Sequence, residues 1–89
     1  MGRPTLVLNS ELVRAARALL RWEQRDLAVA SSVSLPTVKR LESKPGVMSA
    51  HMSTVAALRT ALEAAGVEFI EENGGGPGVR LRKRQQKKD

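Results

Sequence analysis

The side chains of this sequence that could do chemistry are hydrogen-bond donors and cations rather than nucleophiles or metal ligands. Gln24, Arg25, Ser34, Thr37, Lys39, Arg40, Ser43 and Lys44 crowd into residues 24–44. An amide and a guanidinium offer adjacent donors, and hydroxyls add short-range donors and acceptors, so this set suits phosphate oxygens and base edges. Catalytic sets lack their parts. His51 is the single histidine and there is no cysteine, which removes thiolate metal sites and any histidine-based triad. His51 reads as a loop residue, with a phosphate contact as its alternative. The glycines at 74–76 lack the following helix and lysine of a phosphate loop. Acidic residues are scattered without a paired cleft. No enzymatic activity, cofactor, metal or small-molecule ligand is expected.

Composition points the same way. Eighty-nine residues allow one small domain with a modest core. Fifteen Lys and Arg against nine Asp and Glu give a formal charge of +6, which attracts polyanions. Part of that excess lies in the tail at 80–88, so net charge alone is a weak argument. With one Trp, one Phe and no Tyr, base-stacking platforms are not expected. No apolar run approaches the roughly 20 residues of a membrane span, and the polar start MGRPTLVLNS is no secretory signal. A cytoplasmic protein without membrane contact is expected.

The elements that must position these side chains are short. Residues 1–9 read as a loose arm whose apolar run, Leu6-Val7-Leu8, either forms an edge strand or packs on the domain. Ser10 is the expected N-cap of a first helix running to about Leu20, with Glu11 suited to the helix dipole. Its apolar rows are Leu12, Ala16, Leu19 and Val13, Ala16, Leu20. A second helix over 24–30 turns Leu27, Ala28 and Val29 inward. Val33 plugs the serine-rich turn, and Ser34 caps a third helix with Pro36 in its first turn. Val38 and Leu41 face the core, and Pro45-Gly46 ends that helix. Residues 53–65 form the clearest amphipathic helix, through Val55, Leu58, Leu62 and Ala65, with Gly66 at its end. Two apolar segments around Asn73-Gly74-Gly75-Gly76-Pro77-Gly78 predict a β-hairpin over 67–82, and 83–89 a disordered basic tail. The domain proper is expected over 10–66.

A helix that reads base edges must enter a major groove about 12 Å wide and be braced by another across its back. Ala28 supplies the small contact between the two helices, and Leu27, Val33, Val38 and Leu41 lock their angle. Leu35, Pro36, Thr37, Lys39 and Arg40 then face outward. This arrangement predicts binding to double-stranded DNA.

Over residues 10–66 the sequence resembles the lambda-repressor-like (Cro and phage-repressor, XRE) helix-turn-helix transcriptional regulators. The resemblance rests on Ala15-Arg17 with Leu19-Leu20, Gln24, Leu27-Ala28, Val33-Ser34, Thr37-Val38 and Arg40-Leu41-Glu42. It implies a mainly α fold, a helix-turn-helix bundle of four helices, here with a C-terminal β-hairpin in place of a fifth helix. It also implies that Gln24 fastens to a phosphate and that Ser34, Leu35, Pro36 and Thr37 meet the bases. Arg40, one turn on, suits guanine O6 and N7. Leu35 either covers a thymine methyl or, with Pro36, serves helix initiation and packing. Arg25, Lys39, Ser43 and Lys44 complete the phosphate-facing set.

Arg17 borders the apolar face of its helix, so it needs a partner. The resemblance supplies Glu42, which itself borders the core; a phosphate contact is the alternative. The sequence departs from the family where glycine is common, at Arg21 and in the turn at Ser32, and where a small cap is common, at Glu23. Without glycine, a left-handed backbone costs on the order of 1 kcal/mol.

A two-stranded hairpin is marginal in water. It must lean on its own domain or, as favoured here, pair with a second copy through Val67, Phe69, Ile70, Val79 and Leu81. Such a homodimer would match an inverted repeat and act as a repressor or activator by occupying an operator. The rival readings are a protein-interaction module, an antitoxin or anti-activator, and an RNA or membrane-surface binder working through the tail.

Overall fold

The computed structural model describes residues 8–83. The chain runs through α1 (Ser10–Leu20), α2 (Gln24–Ser31), α3 (Leu35–Ser43), α4 (Met52–Ala64), β1 (Val67–Ile70) and β2 (Gly78–Leu81). It is a small helical bundle with one antiparallel hairpin, as the apolar spacing and the glycine-rich loop predict. No helix among the described residues is long and apolar enough to cross a membrane.

Local chemistry starts and stops the helices. Asn9, not Ser10, caps α1: its side chain accepts from the Leu12 N–H at 2.7 Å. Ser10 is instead fully buried, and its hydroxyl donates to the Lys44 carbonyl at 2.7 Å. It therefore ties the start of α1 to the end of α3. α1 closes with Arg21 in the left-handed region, where the Arg21 N–H reaches Ala18 O and the Trp22 N–H reaches Arg17 O. These two bonds satisfy the last carbonyls of the helix. Ser34 caps α3 by accepting from the Thr37 N–H at 3.3 Å, with Pro36 beside it in the first turn. Gly66, with φ +115°, releases the chain from α4 into β1.

Arg21 and Ser32 are the non-glycine residues with positive φ among those described, at +59° and +62°. They are the two positions where the sequence lacks an expected glycine. Relief of left-handed strain is worth about 1–2 kcal/mol, while the added freedom of an unfolded glycine costs about 0.4–1 kcal/mol. Strain relief wins. Ser32→Gly or Arg21→Gly should each stabilise the protein by about 0.5–1 kcal/mol, raising a thermal midpoint by a few degrees. A lowered midpoint for both would refute this.

The core joins Val13 and Ala16 of α1, Leu27 and Ala28 of α2, Val38 and Leu41 of α3, and Val55, Leu58, Ala61 and Leu62 of α4. Three further members lie outside the helices. Met48 comes from the α3–α4 connection, Val67 from β1, and Leu8 from the segment expected to be a loose arm. The carbonyl of Leu8 accepts from the Met48 N–H at 3.0 Å, and Asn9 makes a single antiparallel bridge with Val47. Both readings of this segment thus hold in part for residues 8 and 9. Residues 1–7, with Leu6 and Val7, and 84–89 of the expected disordered tail lie outside the described residues. Three apolar assignments are corrected. Ala65, expected on the apolar face of the last helix, is exposed, because it is the C-cap residue where α4 ends, and Ala61 is buried instead. Leu19 is 40% exposed because α1 turns it past the core, and Val29 is 75% exposed because α2 buries Leu27 and Ala28 and turns Val29 away from them.

The hairpin pairs Val67 with Leu81, Glu68 with Arg80, Phe69 with Val79 and Ile70 with Gly78. It leans on its own domain, packing against α1 and α4. Val67 is fully buried there, with Phe69 and Val79 packed against the core. Val67 is therefore a core residue rather than part of an outer pairing surface. Arg59 of α4 lies over the Phe69 ring at 4.8 Å and bonds Glu63 at 3.0 Å. On the opposite face Arg80 donates to both carboxylate oxygens of Glu68. These hydrogen bonds and the guanidinium charge hold the Glu68 carboxyl below its ordinary range.

Candidate nucleic-acid interface

The expected donors converge on α3 and the chain around it. Ser32, Val33 and Ser34 make a tight connection between α2 and α3. Within it the Ser31 hydroxyl donates to Leu27 O at 2.7 Å and accepts from the Val33 N–H at 3.2 Å, while Val33 packs on the core. The turn is thereby held from both sides. α3 buries Val38, Leu41 and Glu42, leaving Pro36, Lys39, Arg40 and Ser43 exposed. A helix buried along one stripe leaves its other side to solvent.

A buried ion pair braces this face. Arg17 Nε donates to Glu42 Oε2 at 2.8 Å and Arg17 Nη2 to Oε1 at 2.6 Å. The pairing expected from the resemblance is thus present in the structure. The Glu42 side chain is 2% exposed and that of Arg17 17%. Arg17 Nη1 reaches Trp22 O at 3.0 Å, and Arg14 donates to Glu42 O at 2.9 Å. α1, the start of α2 and the end of α3 therefore meet at one carboxylate.

Gln24 joins the same cluster, which changes its reading. Its Nε2 donates to Glu42 Oε1 at 3.1 Å, so the amide expected on a phosphate is already partly engaged within the protein. One amide hydrogen remains for an external acceptor. Asp26 accepts from the Glu23 N–H at 2.8 Å, which places an acid at the start of α2, where the dipole favours one. Arg25, Lys39 and Lys44 are exposed and make no side-chain hydrogen bond or ion pair among the described residues. The Ser43 hydroxyl turns back to Arg40 O at 2.7 Å.

The four residues at the start of α3 divide. Ser34 donates to Thr37 Oγ1 at 2.8 Å, leaving the Thr37 hydroxyl hydrogen free to point outward. Pro36 is exposed. Leu35 is half-buried and packs against the core, as its packing alternative has it, and does not stand fully outward. Arg40 is exposed and has no protein acceptor among the described residues, whereas Arg14, Arg17, Arg59, Arg80 and Arg82 each have one.

Arg40 and Thr37 line an open polar groove with Ser49, Ala50, His51 and Thr54. Ser49 and Thr54 were not among the expected contacts, and His51 was read as a loop residue. They belong here because the α3–α4 connection folds back beside α3. His51 is the residue before α4, and it makes no side-chain capping bond. Its carbonyl accepts from the Thr54 and Val55 N–H groups at 2.9 and 3.1 Å, and the His51 and Thr54 residues are what this helix start brings to the groove. A serine and threonine around a helix start were the available sequence signal, but nothing local reports which helix they lie beside.

No protein-family model matches the chain, and no curated protein matches it in sequence.

Proposed function

We propose that this protein is a sequence-specific double-stranded-DNA-binding regulator of the lambda-repressor-like helix-turn-helix kind. In this reading it works by operator occupancy, with two copies on an inverted repeat. The observation that carries it is the exposed side of α3, where an uncommitted Arg40 stands beside Thr37 in a polar groove. A nine-residue helix is about 13 Å long, enough to reach the edges of several base pairs. An arginine left without a protein acceptor keeps its paired donors for guanine O6 and N7.

The surroundings fit the phosphate backbone. Arg25, Lys39 and Lys44 supply uncommitted charge, and Gln24 keeps one amide hydrogen at the start of α2. Ser49, His51 and Thr54 add side-chain donors in the groove beside Arg40. Phosphate contacts set register, and base contacts set sequence. Occupancy would then repress by excluding polymerase or activate by touching it.

Selection from random duplex DNA at a fixed salt concentration tests the proposal. The expected result is a motif with two symmetric half-sites about one helical turn apart. Recovery of no motif would overturn it.

A further inference from the structure

The hairpin leaves an unpaired edge whose polarity says what covers it. The Arg82 backbone N–H donates to Gly66 O at 2.7 Å, so Gly66 and Arg82 are a hydrogen-bonded pair. Antiparallel ladders alternate between bonded and non-bonded pairs. Given the register, Glu68 with Arg80 and Ile70 with Gly78 are bonded, whereas Phe69 with Val79 and Val67 with Leu81 are not. Val79 and Leu81 therefore turn their N–H and C=O groups away from β1, along the outer edge of β2. No partner outside the hairpin meets them among the described residues.

A groove of mixed character borders this edge. Leu19, Leu20, Ala65, Gly66 and Leu81 line it together with the cations Arg82 and Lys83, and Leu19 and Leu81 are 40% and 47% exposed. The edge of β1 differs, since Val67 is fully buried and Phe69 lies beneath Arg59. Charge adds a direction. Exposed Glu71 and Glu72 follow β1 at the loop end of the hairpin, and exposed Arg82 and Lys83 follow β2 at the opposite end.

We propose that a second copy of this chain docks here, its β2 running antiparallel to β2 along the Val79–Leu81 edge about a twofold axis at Arg80. Val79 of one copy then exchanges both hydrogen bonds with Leu81 of the other, giving a four-stranded sheet. Val79 of each copy then stands beside Leu81 of the other on the inner face, at the open side of the groove. Glu71 and Glu72 of each copy come within two strand spacings, about 10 Å, of Arg82 and Lys83 of the other. A parallel arrangement would set acid beside acid and base beside base at the strand ends. In the antiparallel one the like charges that meet are the two Arg80 at the axis, each already held by its own Glu68. This inference rests on the reading of the protein as a pair of copies but not on DNA.

Sedimentation of the full chain without DNA at low salt tests it. The expected result is a reversible dimer that Val79→Pro converts to monomer with an unchanged circular dichroism spectrum. That proline removes an outward N–H and spares the ladder within the hairpin. Glu71→Lys with Glu72→Lys should weaken the dimer about tenfold, and adding Lys83→Glu should recover part of the loss. A chain that stays monomeric at its highest soluble concentration overturns both the inference and the paired reading. A dimer indifferent to these changes overturns this surface alone and leaves pairing elsewhere. If the proline variant does not fold, the charge variants decide by themselves.

Discussion

Glu42→Ala should cost about 3 kcal/mol of stability, at the lower end of the range for breaking a buried ion pair from one side. The carboxylate it removes is almost fully buried, and it accepts from Arg17 twice and from Gln24 once. Arg17 would keep its bond to Trp22 O but lose its counter-charge. Its 17% exposure lets water compensate in part, which sets the effect at the lower end. For a domain of this size, total stability is about 5–13 kcal/mol, so the loss is a large share. Urea denaturation reads it directly. Glu42→Gln keeps the shape and an acceptor, and should fall between the two. Arg17→Met combined with Glu42→Leu should recover much of the stability, because the desolvation cost of the pair disappears with its attraction. A shift in Glu42→Ala below about 1 kcal/mol, the worth of a surface pair, would mean the cluster does not brace the helices.

Arg40→Ala carries the second large expected effect, on binding rather than on folding. Arg40 is exposed and touches no acceptor among the described residues, so the thermal midpoint should not move. Affinity for the selected DNA should fall by about 1–3 kcal/mol, with specificity relaxed at one base pair. Lys39→Ala and Lys44→Ala should behave differently, weakening binding to all sequences alike and reducing the salt slope by about 1 each. Comparing the selected duplex with a scrambled one across a salt series separates these behaviours. If Arg40→Ala binds both duplexes as the unaltered protein does, the base-reading assignment of α3 is wrong.

Much of the fold was legible because the forces that make each element are local. Apolar spacings of three and four mark α1 and α4, and Ser34 with Pro36 marks the start of α3. The glycine-rich loop between two apolar segments marks the hairpin. The Arg17–Glu42 pair was legible for another reason: a cation beside an apolar face needs a partner, and the family resemblance supplied Glu42, which borders the core. The missing glycines were legible too, since Arg21 and Ser32 occupy the left-handed positions they were expected to fill.

The donors gathered between residues 24 and 44 were determined by the sequence alone, together with the elements that carry them. Which of those donors remain free was decided by the tertiary structure. Gln24 is drawn to Glu42 and Leu35 is drawn to the core, while Arg40 is left open. Ser49, His51 and Thr54 reach the same groove because the α3–α4 connection returns beside α3. Leu8 and Ser10, which local signals placed in an arm and a cap, are held in the interior by Met48, Gly46 and Lys44. The physical reason is one of range. Capping and periodicity act within one or two turns, whereas a side chain's last partner depends on how separate helices cross, and no spacing along the chain records that.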